Sequence, residues 1–412
     1  MVGGLGIVVE TRRLEYTPIK LTDPDEAVKL IRNSLAHISP AREYVGVEES
    51  VGRVASTELY AIRDIPEHDI SAMDGIAVRW SDIASAAPSH PARLKLVNSS
   101  ILEPGCAVRI YTGGLIPEGA DTVIKIEQVE FQSDGTVIVS QPVEKGKNIV
   151  CKGSDIPIGS RILEMGYRIS PSDVVLLMEQ GYKEVEVYRK PRVGLICVGD
   201  EIYQRFRERG LHGLGYAFIA AKQLEKMGCT MDSLTAVPDD MEMLTETIYK
   251  TLGGVDAVVT IGGSSVGGND IVKEAVARLE KSTIYFAGIQ HNPFKSTGYA
   301  VAGKPILILP GHAVSMTAAI HFLGSTIVQS LLGMRESLTV LTQARLSSDV
   351  RPKNNIRTSY LVRLEHREEE LIAHPMPWGT NSISHLLVAE GFVTVDKGAE
   401  LHRSDLVLIS LL

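Results

Sequence analysis

Between Val255 and Asp270 the chain reads Val-Asp-Ala-Val-Val-Thr-Ile-Gly-Gly-Ser-Ser-Val-Gly-Gly-Asn-Asp, and few folds accept such a segment. Residues 255–261 are almost all β-branched or small and apolar, the pattern of a strand buried on both faces of a parallel sheet. Glycines then break a loop carrying Ser264, Ser265, Asn269 and Asp270, and residues 271–279 repeat apolar side chains at helical spacing. Strand, glycine-rich loop and helix N-terminus together make an anion site, because bare backbone N–H groups and the positive dipole end face the ligand. An ordinary glycine turn with Asp270 as helix cap is the other reading of the same residues.

The alternation extends well beyond this segment. Strands at 193–198, 232–237, 255–261 and 305–309 alternate with helices at 216–227, 241–252, 271–279 and 313–332, which implies a doubly wound parallel sheet. Ligands of such sheets bind beyond the carboxyl ends of the strands. That rule gathers Gly199-Asp200-Glu201, Pro238-Asp239-Asp240, residues 262–270 and Pro310-Gly311-His312 on one edge.

Upstream, Thr22 reads as the cap of a helix with Pro24 in its first turn and Ala27, Leu30, Ile31, Leu35 and Ile38 as its apolar stripe. Short alternating segments follow at 44–47, 54–60, 76–78, 93–97, 108–111, 122–129 and 136–140, with 80–86 the one helical candidate among them. Ser170-Pro171 opens a further helix, Gly181 stops it, and 184–188 is a strand. Beyond residue 334 the pattern is β again, at 339–345, 358–364, 371–374, 391–395 and 405–411. The expected organisation is a discontinuous first module (1–45 with 145–188), an inserted β-rich domain (46–144), an α/β domain (189–334) and a C-terminal barrel-like or sandwich-like β domain (335–412).

A chain of 412 residues is too long for one core, so this multi-domain α/β plus β organisation is expected on size alone. A net charge of −8 argues against a general nucleic-acid binder. The four cysteines, Cys106, Cys151, Cys197 and Cys229, form no Cys-x-x-Cys pair, which fits reduced thiols in a cytoplasm better than zinc or disulfides. No apolar run approaches the ~20 residues that span a bilayer, and residues 1–13 run apolar then basic, the reverse of a secretory signal. A soluble cytoplasmic protein without membrane or nucleic-acid partners is the expectation.

Three constellations carry chemistry. Asp64 to Asp74 crowds acids and His68 into a non-helical stretch ending Ser71-Ala72-Met73-Asp74-Gly75, either a solvated turn or a group of ligands for a metal or an anion's counter-ion. Thr112-Gly113-Gly114 joins two strands, as an elaborate turn or as an oxyanion contact. Asp200 and Glu201, with Asp239 and Asp270, are oxygen ligands of the kind that hold Mg²⁺, or else caps and solvated acids. No Walker A motif occurs.

Taken in order, these motifs resemble the molybdopterin molybdenumtransferases, the MoeA family that includes the gephyrin E domain. The matching elements are Ser71-Ala72-Met73-Asp74-Gly75-Ile76-Ala77-Val78, Thr112-Gly113 with Pro117-Glu118-Gly119-Ala120-Asp121, Gly146-Lys147-Asn148-Ile149 with Gly153-Ser154-Asp155, Pro191-Arg192-Val193, Gly199-Asp200-Glu201, Gly262-Gly263-Ser264-Ser265-Val266-Gly267 with Asp270, and Leu309-Pro310-Gly311. The resemblance implies an elongated four-domain homodimer with a molybdopterin-binding α/β domain. It also implies insertion of molybdate, or tungstate, into adenylylated molybdopterin with release of AMP, aided by Mg²⁺. The active cleft would lie between the α/β domain and the β-rich domain of the other subunit. Asp74, Thr112, Asp155 and Glu201 would form the catalytic end. Ser71, Gly113, Gly262, Gly263, Ser264, Ser265, Gly267, Lys295, Pro310, Gly311, His312 and Ser315 would bind the pterin nucleotide. Asp200, Glu201, Asp239 and Asp270 would hold the metal.

Three segments depart from that family pattern. Leu214-Gly215-Tyr216 stands where the family has Asp-Ser/Thr-Asn, Gln290-His291-Asn292-Pro293-Phe294-Lys295 stands for Lys-Pro-Gly-Lys-Pro, and Pro310-Gly311-His312-Ala313-Val314-Ser315 stands for Pro-Gly-Asn-Pro-Val-Ser. An anion pocket needs positive charge, so Lys295 is the expected substitute, turned inward at Gly298, with His291 or His312 adding a pH-dependent share. Alternatives to the transferase are a non-catalytic molybdopterin-binding scaffold or a nucleotide-processing relative.

Overall fold

A computed structural model describes residues 21–263 and 270–412. Helix α1 (Pro24–Leu35) is capped by Asp23, not Thr22: the Asp23 carboxylate accepts the amides of Asp25 and Glu26. Its buried stripe of Ala27, Ile31 and Leu35 docks on the α/β core. The chain then runs out and back through antiparallel pairs, Arg42–Gly46 with Glu184–Tyr188, Leu59–Tyr60 with Arg161–Leu163, and Ile70–Ser71 with Ile149–Val150. Helix α2 (Pro171–Gln180) lies in the returning limb, where Ser170 and Asp173 cap each other's backbone amides and Gly181 ends the helix in the left-handed region.

Between these limbs sits a six-stranded sheet in the order Thr122–Lys125, Gly75–Val78, Cys106–Ile110, Ala92–Val97, Thr136–Val139, Val129–Phe131. Ile76, Val78, Ala107, Ile124, Val137 and Val139 fill its core. Three sequence expectations are corrected here. Residues 80–86 make one 3-10 turn, Trp80–Asp82, and no helix. The strand expected at 122–129 is interrupted by a second turn, Ile126–Gln128. The strand expected at 54–60 shrinks to isolated bridges at Val54 and Ala55 followed by Leu59–Tyr60.

The α/β domain has the sheet order Thr230–Val237, Arg192–Val198, Ala257–Gly262, Pro305–Leu309, Gly298–Val301, Thr283–Phe286. The first four strands are parallel, and the last two, absent from the sequence reading, add antiparallel at one edge. Alternate side chains serve opposite faces: Leu195, Cys197, Val259, Ile261, Leu307 and Leu309 enter one core, and Ile196, Val198, Val258, Ile306 and Ile308 the other. Helices cover both faces, as a sheet of this kind requires. They are α3 (Asp200–Arg209), α4 (Gly215–Met227), α5 (Met241–Gly254), α6 (Ile271–Ala277) and α7 (Ala313–Leu331). Helix α3 was also absent from the sequence reading. Helix α7 is long and apolar enough to cross a membrane by composition, but it is mostly buried and forms the centre of the core.

The C-terminal β domain is a closed five-stranded barrel. Arg357–Arg367 pairs with both Glu370–Pro375 and Gly391–Val395, and the ring continues through Leu341–Leu346 and Leu406–Leu411. A short strand of the α/β domain, His291–Asn292, adds in parallel to Arg357–Thr358 of the barrel. An aromatic cluster seals this junction: His291 lies 4.4 Å from Phe294, Phe322 lies 5.4 Å from Phe392, and His321 meets Phe322 edge-on at 4.9 Å. His321 and Phe322 project from a π-helical turn, Ile320–Gly324, within α7.

Burial lowers the His291 imidazole from 6.5 to about 3 and that of His321 to about 4. Both are neutral in the fold and take up protons near 6.5 once unfolded. Stability is therefore complete above about pH 6.5 and drains away as pH falls toward 4. Melting temperature measured across that window should fall with pH, and His321→Gln should flatten the slope.

Candidate active site

The sequence-derived residues fall into two groups. At the β-rich end, Asp74 follows a tight turn after Ser71 and reaches across to Thr112. The Thr112 amide and hydroxyl both donate to Asp74 Oδ1, at 2.7 and 2.9 Å. These two bonds, with a smaller contribution from the Arg109 charge, hold the exposed Asp74 carboxyl below its ordinary value. The Gly113 amide donates to the Ser71 carbonyl at 2.8 Å and ties the two turns together. Ser71 is 1% exposed, and its hydroxyl donates to the Met73 carbonyl at 2.6 Å, so it holds the turn. Asp155 is exposed, its amide bound to the Ile65 carbonyl. The neighbouring acids are engaged by the same loop: the Ile158 amide donates to Asp64 and the Lys152 amide to Asp69.

At the α/β edge the parallel strands end in a cavity of about 340 Å³, whose walls include Glu201, Arg205, Tyr216, Gly262, Gly311 and His312. Gly262 has φ +88°, and an added Cβ would stand 2.6 Å from the Val198 carbonyl oxygen, so no other residue fits this crossing. Gly263 lies against the Val198 and Val272 side chains. Ser264, Ser265 and Gly267 lie outside the described residues. His312 occupies the cap position of α7 without a capping bond from its side chain. Pro310 and Ser315 are buried, and Ser315 is 2% exposed, which removes it from the cavity surface. Cys197 also lines the cavity, but burial pushes its thiol up to about 12, so it stays protonated.

The four expected metal ligands do not converge. Asp200 and Asp239 are adjacent, each accepting the other's amide at 3.0 and 3.3 Å. Glu201 pairs with Arg205 one turn along α3. Asp270 caps α6 through the Lys273 amide and forms a buried ion pair with the Lys273 ammonium at 2.5 Å. Among the described residues no group of three or more His, Cys, Asp and Glu side chains is placed to hold a metal ion.

The substitute-cation expectation is corrected as well. Lys295 is half-buried and is not part of the cavity wall. Gly298 is a strand residue crowded by the Phe286 carbonyl, and it supplies no hinge. His291 is 4% exposed, and its Nε2 is bonded to the Ser359 hydroxyl at 2.8 Å. Arg205, Tyr216, Asn381 and Lys273 were missed. The Tyr216 hydroxyl donates to Asn381 Oδ1 at 3.1 Å and closes the cavity against the barrel's 376–386 segment. The 201/205 and 270/273 spacings were the available signals.

Residues 22–181 match the MoeA N-terminal region (domain I and II), and residues 194–330 match the probable molybdopterin binding domain. The chain is 33% identical over 313 residues to the molybdopterin molybdenumtransferase of Synechococcus elongatus, covering 72% of this chain and 77% of that one. It is 30% identical over 406 residues to the enzyme of the same name from Bacillus subtilis, covering 94% and 92%. The chain belongs to the molybdopterin molybdenumtransferase family. Its fold agrees with the molybdopterin biosynthesis MoeA protein of Pyrococcus horikoshii, with TM-score 0.80 and 26% identity over 95% of this chain and all of that one. Within a family whose cores align at this level, the two polar groups have different structural standing. No hydrogen bond or ion pair among the described residues links the Asp74–Thr112 group to the cavity at the α/β edge.

Two measurements check these assignments. Thr112→Val removes the hydroxyl donor and keeps the amide, so the Asp74 carboxyl should rise part-way toward its ordinary value, read by NMR titration. Asp270→Ala leaves the buried Lys273 ammonium without its counter-charge and should cost about 3 kcal/mol in chemical denaturation. Adding Lys273→Met should restore much of that loss, whereas a purely metal-binding Asp270 would leave stability untouched.

Proposed function

We propose that this chain binds adenylylated molybdopterin at the α/β edge and inserts molybdate (or tungstate) into its dithiolene, releasing AMP. The carrying observation is the cavity beyond the parallel strands, with Gly262 and Gly311 offering backbone at its wall and the N-termini of α3 and α7 at its rim. Asp200 and Asp239 each give one oxygen to the other's amide. That pair suits Mg²⁺, which commonly takes one or two carboxylates and completes its shell with water and substrate phosphates. Mg²⁺ bound there supplies neutralising charge to phosphate oxygens.

The remaining work belongs to the chain's own groups. The cavity wall orients the nucleotide end, and Tyr216 with Asn381 restricts water on the barrel side. Asp74, kept ionised by Thr112, and Asp155 act at the molybdate end. A homodimer in which each β-rich domain completes the other subunit's cleft is part of this reading, since no hydrogen bond or ion pair among the described residues joins Asp74 or Thr112 to the cavity wall within one chain. Tyr60, Ile62, Ile158, Val175 and Met178 leave large apolar side chains exposed on the antiparallel limbs and α2, as an interface between copies would need. Four free thiols fit a cytoplasmic location.

Purified protein given adenylylated molybdopterin, Mg²⁺ and molybdate should release one AMP per metal inserted, and Asp74→Asn should lower that rate about 100-fold. Light scattering should report a dimer. Tight binding of adenylylated molybdopterin without AMP release would make the chain a scaffold.

A further inference from the structure

We infer that Arg205, and not Lys295, supplies the cationic contact to the phosphate of the bound nucleotide. The inference rests on the transferase reading and adds to it the group that holds the anion. Arg205 is the only lysine or arginine in the cavity wall among the described residues; the other titratable side chains there are Cys197, Glu201, Tyr216 and His312. Helical spacing explains how it gets there. Ile202, Tyr203 and Phe206 dock α3 on the hydrophobic core, which turns positions 201 and 205, one turn apart, toward the open cavity.

The far end of the helix is fixed on this residue. After α3 the chain turns through Gly210–Gly213 and buries Leu214 completely. A Cβ at Gly213 would stand 2.4 Å from the Arg205 carbonyl oxygen. Only glycine lets the turn close on that carbonyl, and the closure sets where the Arg205 side chain starts.

Glu201 pairs with the guanidinium, with an Nη2–Oε1 distance of 2.5 Å and side chains 82% and 55% exposed for Glu201 and Arg205. An exposed pair of this kind is weak. A phosphate offers the planar guanidinium two oxygens in the geometry it prefers, and so displaces the carboxylate. Glu201 thereby becomes a placeholder that keeps Arg205 at the wall until the nucleotide arrives.

AMP alone, titrated by calorimetry in EDTA, isolates this contact from any metal. Wild-type protein should bind AMP with an affinity that falls with salt. Arg205→Gln should weaken binding about tenfold and flatten the salt dependence. Arg205→Lys should recover part of the loss, and Glu201→Gln should tighten binding severalfold by removing the competitor, a gain that a merely structural pair would not give. Wild-type affinity in Arg205→Gln, a loss confined to Lys295→Met, or no AMP binding by the wild type would each overturn the inference. Turnover of adenylylated molybdopterin by the wild type is scored separately. Turnover with an indifferent Arg205→Gln rejects this contact and keeps the transferase, whereas an Arg205-dependent AMP site without turnover keeps the contact and rejects the transferase.

Discussion

Four parallel strands, three of them buried on both faces, are the constraint from which the rest follows. A parallel strand cannot return directly to its neighbour, so each must be followed by a helix, and the helices must alternate faces to cover both. The consequence is that Arg192–Val198, Ala257–Gly262 and Pro305–Leu309 all deliver their carboxyl ends to one edge, and α3, α6 and α7 start there. Unsatisfied helix N–H groups and the loops that carry acids are thereby collected in one place before any side chain is chosen. The tight crossing of Gly262 over the Val198 carbonyl is the local cost of bringing two such ends together.

The antiparallel edge of the same sheet has a different task. Gly298–Val301 and Thr283–Phe286 carry between them the segment that leaves the sheet and joins the barrel at His291–Asn292. Once His291 is bonded to Ser359 and stacked between Phe294 and Phe322, that segment belongs to the junction. Asn292 adds a bond to the Lys353 carbonyl, and Arg357 reaches back to Asp25 at the start of α1. The first module, the α/β domain and the barrel are thus fastened through one short stretch. The π-helical turn in α7 brings His321 onto Ser410 on the other side of the same cluster.

The sequence was most legible where local chemistry decides the outcome. Ser170 and Asp173 announce their capping box, and the apolar runs at 193–198 and 305–309 announce their strands, because such runs are stable only when buried. It was least legible where distant partners decide. His291 reads as a titrating surface histidine until Ser359, some seventy residues away, is placed beside it. Helix α3 was obscured for another reason: Asp200 and Glu201 favour a helix N-terminus and also resemble metal ligands, and the polar sequence after them shows no wide apolar stripe. The strand Gly298–Val301 was missed, although Gly303 between two apolar runs was an available signal for its hairpin. That Asp74 is not among the residues lining the cavity at the α/β edge was not readable, since it depends on how the domains are arranged.

These two lessons meet in the placement of positive charge. A lysine at position 291 would have to sit beside Phe294 and Phe322, where burying an ammonium is costly without a paired anion. Neutral histidine fits that junction, and a cation there would loosen the barrel. The anion pocket still requires a positive group, and the surface of α3 can carry one cheaply, because an exposed guanidinium keeps its hydration until a ligand replaces it. Fastening the barrel with the 290–295 segment is therefore compatible with the inference that Arg205 carries the charge. The helix that Gly213 locks against the sheet edge is what allows the two together.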